Sequence, residues 1–231
     1  MGQFLQVEND SSNKPVPPSE KLKGAKKSGQ ADEGLIVFDF DGTITTKDTF
    51  ALFLRYHAGF WRWLLNITLL LPTFIAYKLG RIDRHQVKAA VIRRFFKNSS
   101  VAEVDDRAKR FAQEVIPGLI RPKALACFKE KMAEGDHVYI CSASISPYLL
   151  HWAESHGFPG KNVLSVELSE ASGVLSGEIA GYNVWGPNKI RRLNDALRSG
   201  NIHIAEAYGD SEGDGELLNA AKESFYRPFR V

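Results

Sequence analysis

One stretch limits the fold more than any other. "GLIVFDFDGTITTKD", residues 34–48, opens with a continuous apolar run of strand length and then places aspartates two residues apart, Asp39 and Asp41. A short run that is apolar at every position reads as a strand buried on both faces, and such strands belong to parallel sheets covered by helices. Carboxylates at its tip cost free energy unless a cation or a hydrogen-bond network offsets them. The stretch therefore predicts an α/β sheet. Its end is either a capped turn or a place where the chain holds something.

The remainder of the chain follows the same alternation. A helix is expected over "RPKALACFKEKMAEG", a strand over "HVYICSAS", a helix over "SPYLLHWAESHGF" and a strand over "NVLSVEL". "GVLSGEIAGYNV" alternates like a hairpin, "PNKIRRLNDALRSG" carries Pro and Gly as helix punctuation, "IHIAEAYGDS" is a strand ending in Asp, and "GELLNAAKES" reads as a helix. Strands alternating with helices give an α/β domain with a mostly parallel sheet. Residues 48–118 contain no good strand run and are too long for a connection, so they predict a helical insertion. The division expected is a polar, disordered tail over 1–33, a core from 34–47 and 119–231, and a helical cap over 48–118.

In doubly wound sheets, ligands bind beyond the carboxyl ends of the strands. Asp39 and Asp41 fall at such an end, and so does Asp210 in "YGDSEGDGELL", with Asp214 four residues on. Clustered carboxylates repel one another, and a hard divalent cation such as Mg²⁺ offsets that. Ser142 ends the run "HVYIC", where its hydroxyl could hold a phosphate oxygen or cap a helix. Lys189 opens the helix of "GPNKIRRL", as a phosphate-binding cation or as a surface lysine.

"DFDGT", "VYICSAS", "GPNK" and "YGDSEGD", in that order, resemble the four motifs of the haloacid dehalogenase-like phosphatases. The insertion after the first motif is similar to that of the phosphoserine-phosphatase-like branch, subfamily IB. The resemblance implies a three-layer Rossmann-like parallel sheet with an inserted helical cap of the C1 type, and a phosphoric monoester hydrolase. It implies Asp39 as the nucleophile that becomes an aspartyl-phosphate and Asp41 as general acid and base. It also implies Ser142 and Lys189 as phosphoryl ligands, and Asp39, the Phe40 carbonyl, Asp210 and Asp214 around Mg²⁺.

The cap bears on the substrate. "GFWRWLLNITLLLPTFIAYKLG", residues 59–80, is nearly long enough to span a bilayer, but Arg62, Asn66 and Pro72 interrupt it and its flanks are basic. One reading is a lid of helices that bury each other's apolar faces. The other is a lid in peripheral contact with a membrane, reaching a lipid phosphate such as phosphatidylglycerophosphate. The second resembles phosphatidylglycerophosphatase C, of the same branch, and places the protein in phospholipid metabolism. Asp48, nine residues after Asp39, stands where phosphoserine phosphatases carry a Glu that meets the substrate. It reads either as a substrate contact or as the N-cap of the first cap helix. Alternatives are a soluble small-molecule phosphatase and, in another class, a non-catalytic lipid-binding module.

A net charge of +3 is too small to argue for nucleic acid as a partner. The two cysteines make no disulfide framework, the six histidines show no metal spacing, and the N-terminus lacks a signal-peptide pattern. "MGQFLQ" has the glycine for myristoylation without the Ser or Thr at the sixth position. These features predict a cytoplasmic protein, membrane-associated on the cytoplasmic face in the lipid reading.

Overall fold

A computed structural model describes residues 34–135 and 137–230. The tail expected over 1–33 lies outside them.

The run that opens the sequence forms β1 (Leu35–Phe38), in which Val37 and Phe38 are wholly buried. A tight turn at Phe40–Ile44 leads into five helices, α1 (Thr49–Ala58), α2 (Phe60–Leu69), α3 (Leu71–Lys78), α4 (Arg84–Phe96) and α5 (Val101–Glu114). The chain then alternates through α6 (Pro122–Glu134), β2 (Val138–Ile145), α7 (Ser146–Ser155), β3 (Val163–Ala171), β4 (Val174–Ala180), α8 (Asn188–Leu197), β5 (Ile204–Gly209), α9 (Gly215–Ala220) and β6 (Ala221–Tyr226). The strands form one sheet in the order β4-β3-β2-β1-β5-β6, parallel except for β4. β1 is central and its neighbours are β2 and β5. That order brings the end of β1 beside Ser142 and Asp210, residues far apart in the chain. Phe38 stacks on Tyr208 of β5 with centroids 4.2 Å apart and meets Phe128 of α6 edge-on at 5.3 Å, which locks the strand between layers.

Two elements differ from expectation. "GVLSGEIAGYNV" does not fold on itself. The hairpin turns earlier, at Ser172 and Gly173, with φ of 53° and 77°. Positive φ at both central residues is the type I′ turn that matches strand twist, so β3 and β4 pair across it. The helix over "GELLNAAKES" stops at Ala220, and the following residues form β6, whose Phe225 stacks on Tyr208 at 4.6 Å. Pairing with β5 overrides the local helical preference of "AAKE".

Three of the inserted helices, α1, α4 and α5, meet α7 around an aromatic cluster in which Phe53 touches Phe96, Phe111 and Tyr148. Pro72 explains the break between α2 and α3, since it sits in the first turn of α3 and cannot continue α2. The chain enters and leaves the insertion side by side: Thr46 N–H donates to Leu119 O at 2.8 Å and Arg121 N–H to Ile44 O at 2.9 Å. A third attachment lies elsewhere. Leu175 of β4 donates to Ser99 O and accepts from Asn98 N–H, both at 2.9 Å, and Val101 N–H donates to Gly173 O at 3.0 Å. Gly177, with φ of 80°, lets α4 lie against β4, because a Cβ there would stand 3.0 Å from the Lys97 Cα.

Candidate active site

Asp39 follows β1 in extended conformation and is buried. Its Oδ1 accepts from Lys189 Nζ at 2.6 Å, and its Oδ2 from the Thr43 hydroxyl at 3.3 Å. Lys189 opens α8, is 2% exposed, and donates equally to Asp214 Oδ1 at 2.6 Å. Burial disfavours the Lys189 ammonium, but Asp39 and Asp214 outweigh it and hold the group charged. Burial likewise pushes Asp39 up, against the pull of Lys189.

Asp214 is held by several donors. Besides Lys189, it accepts from Asp210 N–H at 3.1 Å, Ser211 N–H at 3.0 Å and the Ser211 hydroxyl at 2.9 Å. Burial works against its charge, yet Lys189 and these donors hold its carboxyl below the ordinary value. Asp210 sits at the end of β5 and pairs with Arg230, while Arg227 donates to its backbone carbonyl at 2.9 Å. Burial raises the Asp210 carboxyl and Arg230 opposes it.

Asp39, Asp210 and Asp214 each offer an oxygen within 4.8 Å of the others. This donor set is all carboxylate, which suits a hard cation completed by water and substrate oxygen. Two of the ligands implied by the sequence carry hydrogen bonds of their own. Asp214 Oδ2 accepts from Asp210 N–H, Ser211 N–H and the Ser211 hydroxyl, which fixes the carboxylate, while its Oδ1 accepts only from Lys189 and keeps a lone pair toward the cluster. The Phe40 carbonyl faces into the turn and accepts from Thr45 N–H at 3.0 Å and the Thr45 hydroxyl at 3.2 Å, which uses both its lone pairs. Residue spacing locates side chains along a strand, but not the carbonyls of a turn.

Asp41 has a different environment. It accepts from Thr49 N–H at 2.7 Å, from the Thr49 hydroxyl at 2.6 Å and from the Ser144 hydroxyl. Burial, with Asp48 nearby, raises its carboxyl to about 6. Two aspartates two residues apart are thus split: Asp39 lies against a cation, and Asp41 among neutral donors with a proton affinity near neutrality. Gly42, directly after Asp41, has φ of 79°, and a Cβ there would run into the Asp210 carboxylate. The turn is therefore open only to glycine.

Ser142 is buried inside β2 and lines the same cleft, where its Oγ accepts from Ser144 N–H at 3.1 Å. It caps no helix. Asp48 lines the cleft and also caps α1, accepting from Ala51 N–H at 2.8 Å. The cleft has a volume of about 610 Å³, enough for a small ligand.

Several cleft residues were not singled out from the sequence. Thr49 and Ser144 hold Asp41. Arg84, 4.5 Å over the Trp185 ring, and Lys88, 4.1 Å from the Phe50 centroid, form the cap side, and Arg230 lines the core side. Lys88 also donates to Ala143 O, and burial brings its amine down to about 8. Arg84 and Lys88 are four residues apart on α4, a spacing that puts both on one helix face, but nothing local says that this face meets the sheet.

Residues 36–219 match the model of the haloacid dehalogenase-like hydrolases. The chain belongs to that family. Protein CicA of Caulobacter vibrioides is 36% identical to this hydrolase over 197 residues, covering 85% of this chain and 86% of the relative. A Bordetella pertussis Tohama I protein described as of unknown function has a similar structure, with a TM-score of 0.71 at 19% identity over 83% of this chain and 88% of the other. A substrate-bound phosphoserine phosphatase superposes with a TM-score of 0.57 at 19% identity, covering 84% and 86%. At such identities the structural likenesses establish the fold, with its parallel-dominant sheet and flanking helices.

Proposed function

We propose that this hydrolase cleaves phosphomonoesters with Mg²⁺ through an aspartyl-phosphate on Asp39. The observation that carries the reading is the division of labour at the end of β1. Asp39 is held by an ammonium within a cluster of oxygen donors, and Asp41 is held apart with its carboxyl raised to about 6. In the first step an Asp39 oxygen attacks phosphorus, the ester P–O bond breaks, and Asp41 gives its proton to the leaving oxygen. In the second, water attacks phosphorus, Asp41 takes the water's proton, and the P–O bond to Asp39 breaks to release phosphate. Lys189 offsets the charge of the attacking carboxylate, and the Ser142 hydroxyl is free to donate to a phosphoryl oxygen. Magnesium, held by Asp39 and Asp210 and braced by Asp214, would supply charge neutralisation at the phosphoryl group.

The substrate reading draws on the cap. Arg84 and Lys88 bring cationic groups from the cap to the cleft that holds the acidic cluster. This favours an ester with a second anionic group, and a lipid phosphate such as phosphatidylglycerophosphate has one in its phosphodiester. The rival, a soluble phosphomonoester of the phosphoserine type, also has a second anion in its carboxylate, and the exposed apolar residues of the cap favour the lipid over it.

The test is phosphate release from an aryl phosphate with added Mg²⁺, with chelator, and by Asp39→Asn. Turnover that vanishes with chelator and in the variant, while its circular dichroism is unchanged, upholds the chemistry. Full turnover by Asp39→Asn ends the nucleophile assignment. Matched assays of phosphatidylglycerophosphate and phosphoserine decide the substrate, and preference for phosphoserine overturns the lipid reading.

A further inference from the structure

The hairpin of α2 and α3 is unlike the rest of the molecule. Neither helix contains a buried residue, and only Leu70 between them is enclosed. Of the eleven large hydrophobic residues exposed among the described residues, eight lie between Phe60 and Leu79. They are ordered. Trp61, Leu65 and Leu69 recur every four residues along α2, and Leu71, Ile75 and Leu79 do so from the start of α3 to just beyond its end. Trp63, Ile67 and Phe74 turn the other way and pack against the core. The outward stripes are therefore a second apolar face, with Trp61 77% exposed at one end.

The charge carried by the hairpin itself has one sign. From Thr49 to Ile82 the sequence contains no acidic residue, and Arg62, Lys78 and Arg81 are exposed. A second copy of the chain is thereby disfavoured as the occupant, because a two-fold contact places the same patch against itself and would set these cations against each other. An anionic lipid surface satisfies both features. The apolar stripe enters the acyl boundary, Trp61 sits at headgroup level and the cations meet lipid phosphate. Spanning is a different matter, since among the described residues no helix is long and apolar enough to cross a membrane. The hairpin also adjoins the cleft: Tyr77 of α3 lines it, as do Arg84 and Lys88 of the next helix.

We propose that the α2–α3 hairpin is a docking face for an anionic bilayer, which seats the cap side of the catalytic cleft on the headgroup layer. Its consequence for substrate access rests on the lipid-phosphate reading above; the docking itself does not. The test is flotation of the full chain with vesicles of phosphatidylcholine, alone or mixed with phosphatidylglycerol. The protein floats with the mixed vesicles, less so as salt rises, and its tryptophan emission shifts to the blue. Trp61→Ser with Leu65→Ser and Ile75→Ser lowers binding by about tenfold or more, while turnover of a soluble aryl phosphate is unchanged. Arg62→Glu with Lys78→Glu, both exposed, removes the preference for phosphatidylglycerol and provides a second reading should the triple variant fold poorly. Wild-type protein that stays with neither vesicle overturns the proposal. So does a dimer, seen by light scattering, that the same serine substitutions dissociate. Vesicle binding by a protein without phosphatase activity leaves the docking face standing and removes the function proposed above.

Discussion

The acidic cluster and the α2–α3 hairpin are opposites built into one chain. In the cluster, charged groups are buried and nearly every oxygen has a donor, so each residue is constrained by several others. In the hairpin, apolar groups face outward and no side chain within either helix is buried. The difference separates two uses of the same free-energy terms. Unfavourable burial of charge is tolerated where it fixes geometry for chemistry, and unfavourable exposure of apolar surface is tolerated where something else covers it.

Substitutions can break this contrast, beginning with the largest effect. Lys189→Met leaves Asp39 and Asp214 facing each other without their shared cation. It should lower stability by about 3–5 kcal/mol, read from chemical denaturation, and abolish turnover. Gly42→Ala strains a residue at φ of 79° and pushes on Asp210. A displaced catalytic group should reduce kcat by roughly 100-fold while the melting temperature falls only modestly.

A third effect lies beneath the hairpin. His57 is buried beside Phe53 and Phe96, and burial, with Arg107 and Arg62 nearby, brings its imidazole from 6.5 down to about 4. The fold accommodates the neutral ring. As pH falls below 6.5 the unfolded chain takes up this proton and the folded chain does not until about 4. The contribution is therefore full above 6.5 and drains between 6.5 and 4, to a total of at most about 3 kcal/mol. His57→Gln should flatten that part of the stability profile relative to wild type, measured by denaturation at each pH. The smallest effect is expected on the hairpin itself: Leu65→Ser should change stability by no more than about 0.5 kcal/mol, because the side chain is already in water. A loss of several kcal/mol there would mean that the outward face is packed in solution, and would erase the contrast.

How much was legible from the residues follows the same division. β1 could be read because its residues are apolar without interruption, and the ends of β1 and β5 because Asp at a strand tip is costly enough to be noticed. β6 could not be read, since "AKESFY" is mostly exposed and owes its conformation to β5. Ser142 and Lys189 were locatable as positions along the chain, but Lys88 came to the cleft only through packing of the cap. The Thr45 partners of the Phe40 carbonyl were out of reach because a turn, unlike a strand, does not announce where its oxygens point. The outward stripes of α2 and α3 were ambiguous for a related reason: apolar spacing reports that a face exists, not what it meets.

The stitch between β4 and the loop after α4 has a mechanical consequence. A lid joined to its base by two adjacent chain segments alone could swing as a door does. Here Asn98, Ser99 and Val101 are pinned by backbone hydrogen bonds to the β3–β4 hairpin as well. Any rotation that widens the cleft must unzip those bonds or drag the sheet's antiparallel edge along with it, so the entrance and the rim of the sheet move together or not at all.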